Sequence, residues 1–195
     1  MRTHVARTAA LAAAALLALG ACASDNGDGG GGGATAGDFA EGSTMARLAE
    51  AGAVKVGTKF DQPLFGLVGP DGVPEGFDVE IAKIIASELG IGEDGITWEE
   101  TVSAVREDAI ANGTVDFVVA TYTINDTRKE KISFAGPYYV AGQALLTLKE
   151  NTDIQGVDDI AGKKICTVSG STPEQNLLEN YPEAEVVPFG AYSDC

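Results

Sequence analysis

The chain has 195 residues, 45% of them hydrophobic and only 7 of them proline, enough for one or two compact domains. Its formal net charge is −16, and because residues 1–21 contain Arg2, Arg7 and no acid, the remainder carries 11 bases, 29 acids and −18. So acidic a body argues against nucleic-acid or anionic-membrane partners, while three cysteines and one histidine, His4, leave no zinc finger, histidine triad or cofactor-holding metal set.

Residues 1–21 read as a secretory signal. Arg2, His4 and Arg7 make a positive start, and Ala9–Leu19 is an uninterrupted apolar stretch. That stretch is about half the roughly 20 residues a bilayer-spanning helix needs. Leu19-Gly20-Ala21-Cys22 resembles the bacterial lipobox, which implies that Cys22 is diacylated and becomes the mature N-terminus. The plainer alternative is an ordinary signal peptide followed by an unrelated cysteine. Gly27 and Gly29–Gly33 concentrate the glycine in one place, and Ser24–Gly37 shows no apolar period, which predicts a flexible tether over 22–42.

From Ser43 onward, short apolar strands alternate with helices, the pattern of an α/β fold. Ser43 or Thr44 caps a helix running through Glu50, and Val54-Lys55-Val56-Gly57 is a strand. Pro70-Asp71-Gly72 marks a turn. Phe77–Leu89 is a helix with an apolar face of Val79, Ile81, Ala82, Ile84, Ile85, Ala86 and Leu89, ended by Gly90. Ile96–Glu99 is a strand, Val102–Ala111 a helix, and Val115–Ala120 a strand buried on both faces. Tyr138–Leu148 predicts one long strand passing between domains. Val157–Ile160 begins anew as a short helix, followed by strand Lys164–Val168, a helix from Pro173 to about Asn180, strand Val186-Val187 and a helix start at Tyr192. Such a succession is half a domain, and the chain reads as a fragment or a gene model cut short.

Gly76-Phe77-Asp78-Val79-Glu80-Ile81, with Ile85-Ala86 and Leu89, resembles the signature of family 3 extracellular solute-binding proteins, the polar amino-acid receptors of ABC importers. The resemblance continues in Gly113–Phe117, Ala120–Lys129, Phe134–Tyr139, Asp159–Lys163 and Ser169–Thr172, and so covers about residues 47 to 195. Gly57–Pro63 looks most like the glutamate-binding branch found in actinobacteria. The resemblance implies a two-lobed periplasmic-binding-protein type II fold, with lobe I over 43–142 mostly present and lobe II represented by 143–195.

Amino-acid chemistry suits the residues at these positions. Arg128 offers a planar fork for an α-carboxylate, although on its own it reads as a solvated charge beside Lys129 and Lys131. The resemblance assigns Thr121 and Thr123 to the same carboxylate, and Thr172 to the second lobe's grip on it. Thr172 opens a helix whose free N–H groups suit an anion, or it is merely the cap. Lys59 and Arg106 stand where acidic-amino-acid receptors of the family hold a distal carboxylate, and Tyr192 where the ligand side chain is reached. The alternative for Lys59 and Arg106 is ordinary surface charge. Phe60, Phe65 and Trp98 are as readily core as pocket wall. The resemblance places the family's ammonium-binding aspartate in the second lobe, beyond residue 195. Cys166 and Cys195 remain once Cys22 is lipidated, and outside the cell they are expected to pair rather than stay as two thiols.

The function these features imply is a lipid-anchored receptor on the outer face of the cell membrane. As a monomer it captures glutamate or aspartate and delivers it to an ABC permease, without cofactor or catalysis. A prephenate-type dehydratase and a ligand-sensing ectodomain are the rival readings on the same fold.

Overall fold

The computed structural model describes residues 34–195; the signal segment, Cys22 and the first part of the expected tether lie outside the described residues. The last part of that tether is folded. Ala36–Asp38 form a 3-10 turn in which Thr35 N and Oγ1 both donate to Asp38 Oδ2, and Phe39 packs against the core. Helix α1 (Thr44–Ala51) follows, with Ser43 as its cap accepting from Ala46 N.

A parallel three-stranded sheet carries the architecture. Strand β1 (Val54–Thr58) lies at its centre, between β5 (Ile96–Glu100) and β6 (Phe117–Val118). Between β1 and β5 the chain makes a small antiparallel sheet, β2 (Asp61–Gln62), β3 (Gly66–Val68) and β4 (Pro74–Glu75), and then helix α2 (Phe77–Glu88). The core is Leu48, Val54, Val56, Ala82, Ala86, Leu89, Ile91 and Val119, with Ile96, Trp98 and Phe117 packed at its edge. Trp98 is therefore a core residue. Helix α3 (Arg106–Ala111) leads into β6, and α4 (Asp126–Lys129) follows it. A second, two-stranded parallel sheet pairs β7 (Lys164–Val168) with β8 (Glu185–Phe189) across α5 (Thr172–Asn180). Cys166 on β7 is joined to Cys195 by a disulfide.

Four expectations need correction. Tyr138–Leu148 forms no strand, because among the described residues none lies alongside to complete its hydrogen-bond ladder. Its apolar side chains stand in solvent, with Val140 84% and Leu146 99% exposed. The apolar face of α2 is narrower than its composition suggests: Val79, Ala82 and Ala86 are buried, whereas Ile84 and Ile85 are exposed. Residues 79, 82 and 86 recur at helical spacing on the sheet side, and 84 and 85 are rotated off it. Helix α3 starts only at Arg106, since Thr101 is tied to β1 by its N–H and Oγ1, both donating to the Thr58 carbonyl. In the stretch expected as strand 115–120, only Phe117 and Val118 pair as β6, and both are partly exposed. Asp116 instead spends its carboxylate on Arg47 and on Lys55 N.

Gly76 shows why the signature before α2 requires glycine. It sits at φ 130°, and a Cβ there would lie 2.5 Å from the Phe65 carbonyl carbon and oxygen. That backbone region is essentially closed to other residues. Gly76→Ala is expected to destabilise the fold by about 3 kcal/mol, from backbone strain and overpacking together. Thermal unfolding should then fall by roughly 6–12 °C for a chain of this size. An unchanged midpoint would contradict the constraint.

Candidate ligand-binding site

The three strands of the first sheet run parallel, so their carboxyl ends open on one edge, where open α/β sheets bind ligands. Each end delivers a cation. Lys59 follows β1, Arg106 begins the helix after β5, and Arg128 lies in α4 beyond β6. All three are buried, at 0%, 2% and 4% exposure respectively, so neither a surface charge nor a solvated helix charge describes them.

Lys59 Nζ donates to Ser103 Oγ at 3.1 Å and lies 5.7 Å from the centre of the Tyr192 ring. Among the described residues no carboxylate comes within 4.0 Å of it. Arg106 donates from Nη1 to the Ala120 carbonyl at 2.9 Å, while its Nε is buried without a partner. Its guanidinium carbon is 3.9 Å from the centre of the Tyr122 ring, and that of Arg128 is 4.8 Å from the same ring. Cation–π contact of this kind replaces part of the lost hydration.

Arg128 is the junction. Asn125 caps α4 by accepting from Arg128 N, which fixes the start of the side chain. Nη1 donates to the Thr123 carbonyl at 2.9 Å and to Thr172 Oγ1 at 3.3 Å, and Nη2 donates to the Gly170 carbonyl at 3.0 Å. Nε faces Glu107 Oε1 at 3.5 Å. The fork thus joins the first sheet to the loop between β7 and α5. Gly170 permits this approach: at φ 74°, a Cβ there would lie 2.8 Å from Ala104 Cα.

Thr172 is not the cap of α5. Ser171 is, accepting from Glu174 N, and the Gly170 N–H is already taken by Glu174 Oε2 at 2.7 Å. One donor of the expected anion site is therefore satisfied internally. Thr121 sits in the left-handed region at φ 46°, its N–H donating to Asp78 Oδ2 at 2.7 Å. Its hydroxyl lies 2.7 Å from Gln62 Oε1 and 2.8 Å from the Ala120 carbonyl, the same carbonyl that Arg106 holds. Tyr192 opens a 3-10 turn, Tyr192–Asp194, beside β2.

Contacts thus link Arg106 to Arg128 through Tyr122, Arg128 to Thr123 and Thr172, and Lys59 to Tyr192; Thr121 adjoins through Ala120. Sequence reasoning missed Ser103, Tyr122, Glu107, Asp61 and Asp78. Asp78 was visible within the Gly76-Phe77-Asp78 signature. Its carboxyl is buried, accepts from Thr121 N and the Tyr138 hydroxyl, and is pushed above the usual carboxylate range by burial. Ser103 and Tyr122 sit in loops, Asp61 in the two-residue strand β2 and Glu107 in the first turn of α3, where no apolar period marks them.

Electrostatics give the site its chemistry. Burial, then the nearby charge of Arg106, lowers the Lys59 ammonium to about 8. Burial, then Arg128, lowers Arg106 to about 10. Like charges sharing a poorly solvated space are costly, and Glu107 is the one carboxylate paired with them among the described residues. An anion placed among these groups would relieve that cost.

Lys59 therefore opposes folding of the empty protein below pH 8, where both folded and unfolded chains hold its proton. Between pH 8 and the ordinary 10.5 only the unfolded chain does, so this penalty fades as pH rises. Lys59→Met is expected to stabilise the unliganded chain at pH 7 by on the order of 1–3 kcal/mol, and to lose that advantage by pH 10. Denaturant unfolding of both chains at pH 7, 8.5 and 10 measures it; a pH-independent difference would contradict it.

Residues 54–186 match the family of bacterial extracellular solute-binding proteins, family 3. The chain is 40% identical over 164 residues to the glutamate-binding protein GluB of Corynebacterium glutamicum, covering 82% of this chain and 56% of the relative. It is 38% identical over 154 residues to the ABC transporter glutamine-binding protein GlnH of Bacillus subtilis, covering 78% of this chain and 56% of that protein. The crystal structure of the ancestral amino acid-binding protein AncCDT-1, a precursor of cyclohexadienyl dehydratase, superposes with a TM-score of 0.72 at 31% identity, over 78% of this chain and 67% of that one. The chain thus spans little more than half the length of the curated relatives it matches. With its parallel sheet, its cationic edge and these likenesses, the chain belongs to the bacterial extracellular solute-binding proteins of family 3 and has their type II periplasmic-binding-protein fold.

Proposed function

We propose that this chain is the receptor component of an ABC importer, that its ligand is an acidic amino acid, glutamate before aspartate, and that it passes the ligand to a membrane permease. The observation that carries this reading is the buried trio of Lys59, Arg106 and Arg128, of which only Arg128 has an ion-pair partner among the described residues, Glu107. A glutamate brings two carboxylates and one ammonium, which suits an excess of positive charge; glutamine leaves one end of that excess uncompensated. The likeness to GluB supports the choice, and that to GlnH makes glutamine the ligand to exclude.

On this reading the α-carboxylate approaches Arg128 from the side of the β7–α5 loop. It takes over donors now engaged by Gly170 and Thr172, with Thr123 beside it. The distal carboxylate lies toward Lys59 and Arg106, whose unpartnered Nε is a donor in waiting, and Tyr192 flanks the side chain. Opening and closing separate and rejoin the two sheets, 43–142 acting as one lobe and 143–195 belonging to the other. The chain's family binds solutes, and the reading contains no catalytic step. Cys22 carries the lipid that holds the protein at the outer face of the membrane, as a monomer.

Two measurements test this. Arg128→Ala should weaken every amino-acid ligand by roughly ten- to a hundred-fold, the cost of one charge-assisted bond. Arg106→Gln and Lys59→Gln should weaken glutamate by a similar factor and leave glutamine nearly unchanged, since only glutamate brings the distal charge. Calorimetry with both ligands decides; equal losses for the two would exclude the acidic assignment. Separately, Cys22→Ala should abolish lipid labelling and release the protein from the membrane fraction, and retention without lipid would refute the anchor.

A further inference from the structure

Tyr192 owes its place to a residue far from it in the chain. Asp61, in β2, accepts from Tyr192 N at 2.6 Å and from Ser193 N at 3.1 Å, both through Oδ2. Its other oxygen, Oδ1, is buried and has no partner among the described residues. The two amides are therefore its compensation for leaving water, and a carboxylate so placed is costly unless it holds something. What it holds is the end of the chain's second sheet. Residues 192–194 follow β8, and the disulfide from Cys195 to Cys166 ties their far side to β7. Between these attachments the Tyr192 ring stands 5.7 Å from Lys59 Nζ.

We propose that Asp61 is a positioning residue: its carboxylate docks residues 192–195 onto β2 and thereby holds the Tyr192 ring against Lys59. The consequence for ligand choice rests on the glutamate reading above, because the Lys59 end of the site is where that reading puts the distal carboxylate. Asp61 acts through Tyr192 and not by touching the ligand. It also opposes the effect of burial and of Arg106 on Lys59, helping the ammonium keep its proton. The disulfide alone does not suffice, since it anchors residue 195 to the second sheet and makes no attachment to the first.

The test begins without ligand. A ring held above the Lys59 side chain shifts the NMR signal of its ε-methylene upfield, and Tyr192→Leu sets the zero. Asp61→Ala should bring that signal to the Tyr192→Leu position, with the disulfide intact; a wild-type signal would overturn the proposal. Should Asp61→Ala not fold, Asp61→Asn, a neutral and weaker acceptor, should speed hydrogen exchange at the Tyr192 and Ser193 amides about tenfold without changing β1 amides. Unchanged exchange there would overturn it equally. In the ligand arm, Asp61→Ala and Tyr192→Leu should each weaken glutamate about tenfold, and the double variant should be no weaker than the worse single one. Losses that multiply would show that Asp61 does not work through Tyr192. A wild-type chain that binds no amino acid would refute the glutamate reading, while the ring shift would still decide the positioning.

Discussion

Three cations held together away from water constrain everything near the carboxyl ends of the first sheet. Each needs electron density to replace its hydration, and the chain supplies it mostly from groups without net charge. Arg106 takes the Ala120 carbonyl and the Tyr122 ring; Arg128 takes the carbonyls of Thr123 and Gly170 and the Thr172 hydroxyl; Lys59 takes the Ser103 hydroxyl. Carbonyl dipoles and a ring quadrupole orient the cations without cancelling their charge. Among the described residues a direct ion pair does that for one of the three, Glu107 at Arg128. Burial first, and the neighbouring cation second, lower the proton affinity of Lys59 and Arg106, and a carboxylate brought among them would offset both costs.

The backbone bends to serve this cluster. Thr121 adopts a left-handed conformation that a β-branched residue ordinarily avoids, and the Asp78 carboxylate holds it there by accepting its N–H. The turn leaves the preceding carbonyl, that of Ala120, available to Arg106. Asp78 also accepts from the Tyr138 hydroxyl, so the same buried carboxylate touches the segment leading toward the second sheet. The strained Thr121 and the buried Asp78 carboxylate that holds it stand directly behind the carbonyl on which Arg106 rests.

How much of this was legible depended on whether the information was local. Strand β1, helix α2 and helix α5 announce themselves by apolar spacing, by Ser and Gly at their ends and by Pro173 near a helix start. The cations and threonines of the site were legible only as part of a family pattern, because nothing in their spacing distinguishes Arg128 from its neighbour Lys129. Apart from the Cys166–Cys195 disulfide, tertiary partners were not legible. Lys59 meets Ser103 across a separation of 44 residues, and Tyr192 meets Asp61 across 131. No periodicity relates such pairs. The run Tyr138–Leu148 misled for the converse reason: its β propensity is genuine, but propensity makes a strand only where another strand accepts its hydrogen bonds. Residues 84 and 85 of α2 misled in a third way, since composition counts apolar residues without asking which way each one faces.

A cationic site inside a strongly acidic body raises a question of range. Beyond residue 21 the chain carries a net −18, which repels an anionic ligand at a distance. At physiological ionic strength that repulsion decays over about 8 Å, so it acts on the approach and hardly on the bound state. The buried trio is little screened, because salt does not enter the space the three side chains share. On the proposed reading capture and selectivity would separate, the outer field modestly slowing arrival of an acidic ligand and the inner groups deciding whether it stays. On the acidic-ligand reading proposed above, a preference for a dicarboxylate would rest on donors at bonding distance, Lys59 Nζ, Arg106 Nε and the Arg128 fork, and on the residues that aim them. If those groups choose the ligand as proposed, a change to the acidic exterior would alter encounter rates while leaving the order of ligand preference intact, because the exterior field barely reaches them.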